Sequence, residues 1–120
     1  MGDRDPRDFL PLTPQAFHVL LALTDGERHG YGIILEVAAR TDGAVRLRTG
    51  TLYTILKRLL DDGLIAEADE RPARGDDERR RYYVLSPRGR AVLKVEAQRL
   101  DRLVALAREK RVLPARGGSR

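Results

Sequence analysis

The residues best suited to chemistry lie between positions 43 and 60, where the chain has basic side chains and no acid. The four basic residues are Arg46, Arg48, Lys57 and Arg58. The small and hydroxyl-bearing residues among them are Thr49, Gly50, Thr51, Tyr53 and Thr54. Guanidinium and ammonium groups bind phosphate, and threonines at a closely approaching helix start can reach phosphates or the edges of bases. The pattern favours contact with a polyanion, above all with nucleic acid.

Enzymatic and metal chemistry have no comparable support in the sequence. The chain contains no cysteine, which excludes disulfides, thiolate metal ligands and cysteine nucleophiles. Its two histidines, His18 and His29, lack the spacing of a zinc motif. The sequence also lacks the pattern of a nucleophile–base pair, a paired-carboxylate site or a phosphate-cradling loop. We therefore predict a protein that is not an enzyme and has no catalytic residues, no metal site and no cofactor.

The overall charge agrees with an anionic partner but does not require one. The 120 residues carry a net charge of +5. GC-rich coding also produces an arginine-rich chain, so the placement of the charges carries the argument. No apolar run approaches the roughly 20 residues of a membrane span, and the acid-containing start does not resemble a signal peptide. We expect a cytoplasmic, nucleoid-associated protein without a membrane partner.

Two helices are predicted before the basic stretch. Thr13 is placed to cap the first, which the apolar spacing extends over 14–24. The second begins at His29 or Gly30 and ends at Arg40, where a following Gly stops it. Two short helices separated by a turn are typical of the start of a helix-turn-helix unit.

The basic stretch itself is predicted to form a third helix, after a brief strand over 44–47. Thr49 or Thr51 is placed to cap this helix, and Gly63 followed by Leu64 to end it. One side carries the apolar residues Leu52, Ile55, Leu56, Leu59 and Leu60. The other side carries Gly50, Thr54, Lys57 and Asp61. This polar side suits insertion into a DNA major groove; the alternative is an ordinary amphipathic helix whose threonines and glycine serve only as a cap.

A hairpin is predicted next, from two strand-like runs over 64–69 and 80–86 joined by a polar loop. Its basic residues are Arg71, Arg74, Arg79, Arg80 and Arg81. They fit either a DNA-contacting wing or a solvated charge run beside the acids at 76–78. Tyr82 and Tyr83 are adjacent in a strand, so one should face the core and the other should face away.

A last helix is predicted from a Ser86 cap to about Arg111. Its apolar positions alternate at spacings of four and three, with two more leucines widening the seam. These residues are Leu93, Ala97, Leu100, Leu103, Val104, Leu106 and Ala107. The seam could pack on the same chain, which would give a monomer. Because a helix of about 25 residues outruns so small a domain, we expect a homodimer instead.

The order of these elements predicts a mainly α (α+β) fold, a winged helix-turn-helix with a long C-terminal dimerisation helix. We divide the chain into a flexible arm over 1–11, a winged helix DNA-binding domain over 12–86, a dimerisation helix over 87–112 and a disordered tail over 113–120.

Three segments resemble a known family. The segments "HGYGI" (29–33), "GTLYTILKRLLDDGLI" (50–65) and "RRYYVLSPRGRAVL" (80–93) are similar, in this order and at these distances, to the PadR family of bacterial transcriptional regulators. Each segment alone is weak, whereas the three together are specific, and the resemblance spans about residues 12–108. It differs at Thr54, where many members have proline, and in the absence of tryptophan, which some small members use to bind flat aromatic drugs.

The resemblance implies a dimeric repressor that a small-molecule effector releases from a pseudo-palindromic operator on double-stranded DNA. By position, Tyr31 would contact a phosphate, the residues of 49–58 would form the recognition surface, and wing arginines such as Arg74 and Arg79 would reach the flanking DNA. The competing hypothesis is a winged helix that serves as a protein–protein interaction module without specific DNA binding.

Overall fold

The computed structural model describes residues 4–68, 71–72 and 79–116. Within these ranges the helices are α1 (Pro14–Ala22), α2 (Gly30–Arg40), α3 (Thr49–Asp61) and α4 (Pro87–Glu109). The strands are β1 (Arg28–His29), β2 (Ile65–Glu67), β3 (Arg71–Pro72), β4 (Arg79–Arg80) and β5 (Tyr82–Leu85). A short 3₁₀ turn, Pro6–Phe9, precedes α1. Three helices followed by a small antiparallel sheet and a long helix form the predicted α+β winged helix-turn-helix.

The core lies where α1, α2 and α3 meet, covered by the sheet and by the first turns of α4. Its most buried residues include Val19, Leu20, Ile33, Leu52, Leu56, Leu64, Tyr83 and Val92. On α3, the predicted apolar side is confirmed, because Leu52, Leu56 and Leu59 are buried and Ile55 and Leu60 pack against the core. The polar side of α3 consequently faces outward.

The ends of the helices follow the predicted chemistry at three places. Thr13 Oγ1 accepts a hydrogen bond from the Ala16 backbone N at 3.0 Å and caps α1. Ser86 Oγ accepts from the Gly89 backbone N at 2.9 Å and caps α4. Gly63 adopts φ +75° after α3, and the Leu64 backbone N donates to the Leu59 carbonyl, which is the Schellman arrangement.

The predicted cap of α3 by Thr49 or Thr51 is wrong. Thr49 is already the first helical residue, so the capping position falls to Arg48, whose side chain offers no acceptor. The first-turn N–H groups of α3 therefore lack a side-chain cap from the preceding residue. An anion outside the chain can take that place.

The predicted strand over 44–47 is also wrong. Thr41 Oγ1 accepts from the Val45 backbone N at 3.0 Å, and this loop contact replaces a strand partner. The edge position in the sheet belongs to β1, where Arg28 pairs with Tyr83 and His29 with Tyr82.

The predicted hairpin is confirmed by the antiparallel pairing of β2 with β5, from Ile65 opposite Leu85 to Glu67 opposite Tyr83. The strand order in this sheet is β1-β5-β2, and β3 pairs with β4 as an extension of the hairpin. Tyr83 is buried in the core. Tyr82 is half-buried on the other side, as the alternation predicts.

The last helix packs on the domain only through its first half. Val92 and Leu93 are buried, whereas Leu100, Leu103, Val104 and Leu106 are exposed. The helix ends two residues earlier than predicted, at Glu109. None of the helices in the described ranges is long and apolar enough to span a membrane.

The segment predicted as a flexible arm is folded from Asp5 onward. Asp5 caps the 3₁₀ turn by accepting from the Arg7 backbone N at 2.9 Å, and the turn packs against α4. Phe9, Leu10 and Leu12 lie against the core. These apolar side chains hold the segment against the core. The proline and the charged residues around them had suggested a flexible arm instead.

Candidate nucleic-acid interface

The predicted recognition residues of α3 all lie on the surface. They are Thr49, Gly50, Thr51, Tyr53, Thr54, Lys57 and Arg58. Because α3 buries only its apolar side, one rigid helix presents the hydroxyl, glycine and cationic residues together. Gly50 has no neighbouring atom within 4 Å of where a Cβ would stand, so the start of α3 is open to a partner's close approach.

The two cations of α3 differ in their surroundings. Lys57 Nζ lies 3.3 Å from Asp61 Oδ2, an exposed ion pair at helical spacing. Arg58 has no ion-pair partner among the described residues. Thr54 Oγ1 donates to the Gly50 carbonyl at 3.1 Å, so this hydroxyl rests on its own helix. Of the two cations of α3, Arg58 is therefore the more available to a phosphate or a guanine.

Two tyrosines flank the junction of α2 and α3. Tyr31 in the first turn of α2 is 60% exposed, and Tyr53 on α3 is 50% exposed. The Tyr53 hydroxyl lies against Gly30, where a Cβ would stand only 2.8 Å away. The glycine of "HGYGI" thus makes room for the tyrosine of "GTLY". Both phenols remain accessible beside the polar side of α3.

The hairpin contributes less than its sequence suggests within the described residues. Arg80 Nη1 lies 2.8 Å from His29 Nε2, and Arg81 Nη1 lies 3.7 Å from Glu67 Oε2. Arg74 lies outside the described residues. For Arg79 the structure gives the backbone, which pairs with Pro72. The wing contacts predicted for Arg74 and Arg79 stay predictions.

His29 has a role that sequence reasoning missed. Its Nδ1 accepts from the Gly32 backbone N at 3.0 Å and caps α2, and its ring meets the Tyr82 ring edge-on with centroids 5.3 Å apart. The signal was available, since His29 directly precedes the first residue of a predicted helix. The histidine therefore connects the start of α2 to β5 of the sheet.

Because this cap needs an unprotonated Nδ1, we expect stability to depend on pH. Burial, and after it the Arg80 guanidinium, lowers the pKa of His29. The unfolded chain then takes up a proton at higher pH than the folded protein, so the free energy of unfolding should fall as the pH drops through about 6.5. His29→Asn keeps a capping acceptor without titrating. Urea unfolding between about pH 5 and 8 should show a flatter profile for this variant, and an unchanged slope would refute the assignment.

The residues predicted for dimerisation fall into two groups. Leu93 is buried within its own chain. Ala97, Leu100, Leu103 and Val104 are exposed, and Ala107 is half-buried. The exposed apolar face consequently begins after the third turn of α4.

These features define the class of the protein. Three packed helices, a β hairpin and a long last helix form a winged helix, in which the side of α3 that carries cations and hydroxyls faces outward.

The family follows from comparison with known proteins. The model of the transcriptional regulator PadR-like family matches residues 19–95. The transcriptional regulator Rv3488 of Mycobacterium tuberculosis is 35% identical over 86 residues, which cover 72% of this chain and 75% of that protein. The chain belongs to the PadR-like family of transcriptional regulators. A 37.1 kDa uncharacterized protein of transposon TN4556 from Streptomyces fradiae is 38% identical over 85 residues, but the match spans only 22% of its length.

Solved structures share the fold. A transcriptional regulator from Clostridium thermocellum superposes with a TM-score of 0.66 at 22% identity, covering 82% of this chain and 97% of that one. Bacillus subtilis PadR in complex with operator DNA gives a TM-score of 0.61 at 24% identity, covering 70% of this chain and 46% of that one. The resemblance inferred from the three sequence segments is confirmed.

Proposed function

We propose that this chain is a dimeric, sequence-specific DNA-binding repressor whose hold on its operator is controlled by a small-molecule effector. The observation that carries the proposal is α3, an exposed helix with two cations in one turn and no side-chain cap at its start. The partial positive charge of such a helix start attracts phosphate, and the side chains behind it reach into the groove. Bacillus subtilis PadR, which shares the fold, was crystallised with operator DNA.

The contacts we propose follow from the placement of each residue. Thr49, Gly50 and Thr51 would meet phosphates or base edges at the start of α3, and Lys57 and Arg58 would act about two turns later. Tyr31 and Tyr53 would donate to the DNA backbone, and Thr54 would line the same surface. The wing, including Arg74 and Arg79, would reach flanking DNA. Such a regulator works in the cytoplasm at the nucleoid.

The proposed dimer rests on the exposed half of α4. Leu100, Leu103, Val104 and Leu106 form an apolar face that the described chain leaves uncovered. A contiguous apolar face is costly to leave in water, and the same face of a second copy covers it in a twofold arrangement. The twofold axis would set two α3 helices about one DNA turn apart on a pseudo-palindromic site. In this proposal residues 12–86 are the DNA-binding domain and 87–112 the dimerisation helix.

Control by an effector requires two dimer arrangements that differ in their affinity for the ligand and for DNA. Since α4 connects the winged domains of the two copies, a ligand that changes its angle would change the distance between the two α3 helices. This coupling is the mechanism we propose for release from the operator.

Fluorescence anisotropy tests the proposal. Duplexes should contain the DNA directly upstream of this protein's gene, a single half-site of it, or a scrambled sequence, at near-physiological salt. We expect the complete site to bind about a hundredfold more tightly than the scrambled duplex and more tightly than the half-site. Equal binding to all three would contradict a sequence-specific dimer: tight binding to each would favour a non-specific architectural DNA protein, and weak or absent binding would favour the interaction-module hypothesis.

A further inference from the structure

One acid of the chain is buried in an unusual place. Glu96 on α4 is 1% exposed, and it is the charged residue that lies buried in the core of the described ranges. Its Oε1 accepts from Arg99 Nε at 2.6 Å, and its Oε2 accepts from Arg99 Nη2 at 2.9 Å. Oε2 also accepts from the Leu12 backbone N at 3.0 Å. A buried carboxylate is tolerated only when it is paired and hydrogen-bonded, so these partners are fixed to Glu96.

The Leu12 contact connects distant parts of the chain. Leu12 ends a segment, residues 4–12, that we call the strap. The strap packs against α4 through its 3₁₀ turn and runs directly into the Thr13 cap of α1. The Arg99 guanidinium, with the Leu12 N–H, holds the pKa of Glu96 below its usual value despite the burial, so the carboxylate is charged. Glu96 thus ties α4 to the start of the winged domain.

The other side of the strap faces α3 across a cavity of about 560 Å³. The residues lining it include Phe9, Pro11, Leu12, Thr51, Thr54 and Arg58. The strap therefore lies between the proposed dimerisation helix, which it contacts, and the proposed recognition helix, which it faces across this cavity.

A small rotation of α4 at Glu96 would move the far end of the helix by a larger distance. Beyond Glu96, α4 continues to Glu109 with mostly exposed side chains, which is about 20 Å at 1.5 Å rise per residue. A rotation of about 10° at Glu96 would move the end of the helix by about 3 Å, and twofold symmetry would apply the change to both winged domains.

We propose that Glu96 is a positioning residue: through the Leu12 N–H it holds α4 at one angle to the winged domain and so sets the separation of the two recognition helices, while Arg99 of the same helix keeps the buried carboxylate charged. The inference rests on the proposed dimer. In this inference the buried Glu96 determines which half-site spacing the dimer prefers, because that spacing must match the distance between the two recognition helices.

A distance measurement tests the inference without DNA. The natural chain has no cysteine, so Ala39→Cys, at an exposed position on α2, places one spin label on each winged domain. We expect one narrow distance between protomers in the parent protein. Glu96→Met, which leaves no oxygen to accept from the Leu12 N–H, and Arg99→Met should broaden that distribution or shift it by about 3 Å. If Glu96→Met does not fold, Arg99→Met decides, because it removes the counter-charge of the buried carboxylate and Arg99 is itself partly exposed.

The matched control is Glu36→Met. Glu36 is a half-buried carboxylate paired with Arg28 at 3.4 Å and Arg40 at 2.9 Å, away from the strap. Its variant should keep the parent distance, and unchanged distances in folded Glu96→Met and Arg99→Met would overturn the inference. No distance between protomers in the parent would overturn it together with the dimer.

Operator spacing provides the second measurement. On duplexes whose half-sites are moved by one or two base pairs, Glu96→Met should reduce the preference for the best spacing about tenfold, whereas Glu36→Met should retain it. Altered distances without specific DNA binding in any variant would support the role of Glu96 and refute the proposed operator function. Altered distances with an unchanged spacing preference would overturn the link to spacing.

Discussion

Replacing Gly89 by alanine should destabilise the protein by about 4 kcal/mol or more, the largest effect that we expect of any single methyl group. A Cβ at this third residue of α4 would overlap the Leu64 carbonyl oxygen and lie 2.9 Å from the Leu64 carbonyl carbon and from Leu85 Cδ1. The obstacle is mainly backbone, which cannot rotate aside. The same carbonyl accepts from the Ser86 backbone N at 3.1 Å, so moving it also breaks the connection between the sheet and α4.

Urea unfolding followed by circular dichroism measures this effect. Gly50→Ala is the matched control, because Gly50 also lies in the first turn of a helix and a Cβ there meets no atom within 4 Å. We expect that variant to be as stable as the parent or more stable by up to about 1 kcal/mol. A Gly89→Ala protein within about 1 kcal/mol of the parent would show that α4 does not approach the turn after α3 so closely.

Removing both cations of the recognition helix should weaken operator binding about a hundredfold. Lys57→Ala with Arg58→Ala deletes four charges from a dimer, and at roughly 0.9 counterion per phosphate contact the slope of log affinity against log salt should fall by about 3 to 4. The two residues should contribute unequally. Lys57 must share its charge with Asp61, whereas Arg58 has no ion-pair partner among the described residues, so Arg58→Ala should cost more than Lys57→Ala.

The control variant removes the same amount of charge from a different surface of the protein. Lys94 and Arg102 are exposed on α4, and Lys94→Ala with Arg102→Ala removes the same two residue types away from α3. Anisotropy titrations at several salt concentrations should give that variant a slope close to the parent's. Equal losses in both double variants would indicate a general charge effect and would contradict the assignment of α3 as the recognition helix.

The elements whose signals are local were predictable from the sequence. Thr13, Ser86 and Gly63 act through hydrogen bonds to residues one helical turn away, so their types and positions alone fixed three helix ends. The buried side of α3 followed from the spacing of its leucines, and its exposed cations and hydroxyls followed from the same period. The winged helix fold could be predicted on this basis, whereas the family followed from the resemblance of three sequence segments.

Other features depend on partners far along the chain, and only the tertiary structure decided them. The sheet edge is formed by Arg28–His29, which pair with β5, whereas the Val45 backbone N donates to Thr41 within its own loop. From the sequence alone, Glu96 would be taken for an exposed acid. In the structure it is buried and accepts from the backbone N of Leu12, 84 residues away. A hydrogen bond within one turn is specified by neighbours in sequence, whereas a buried charge and a strand edge are specified by what the folded chain brings alongside them.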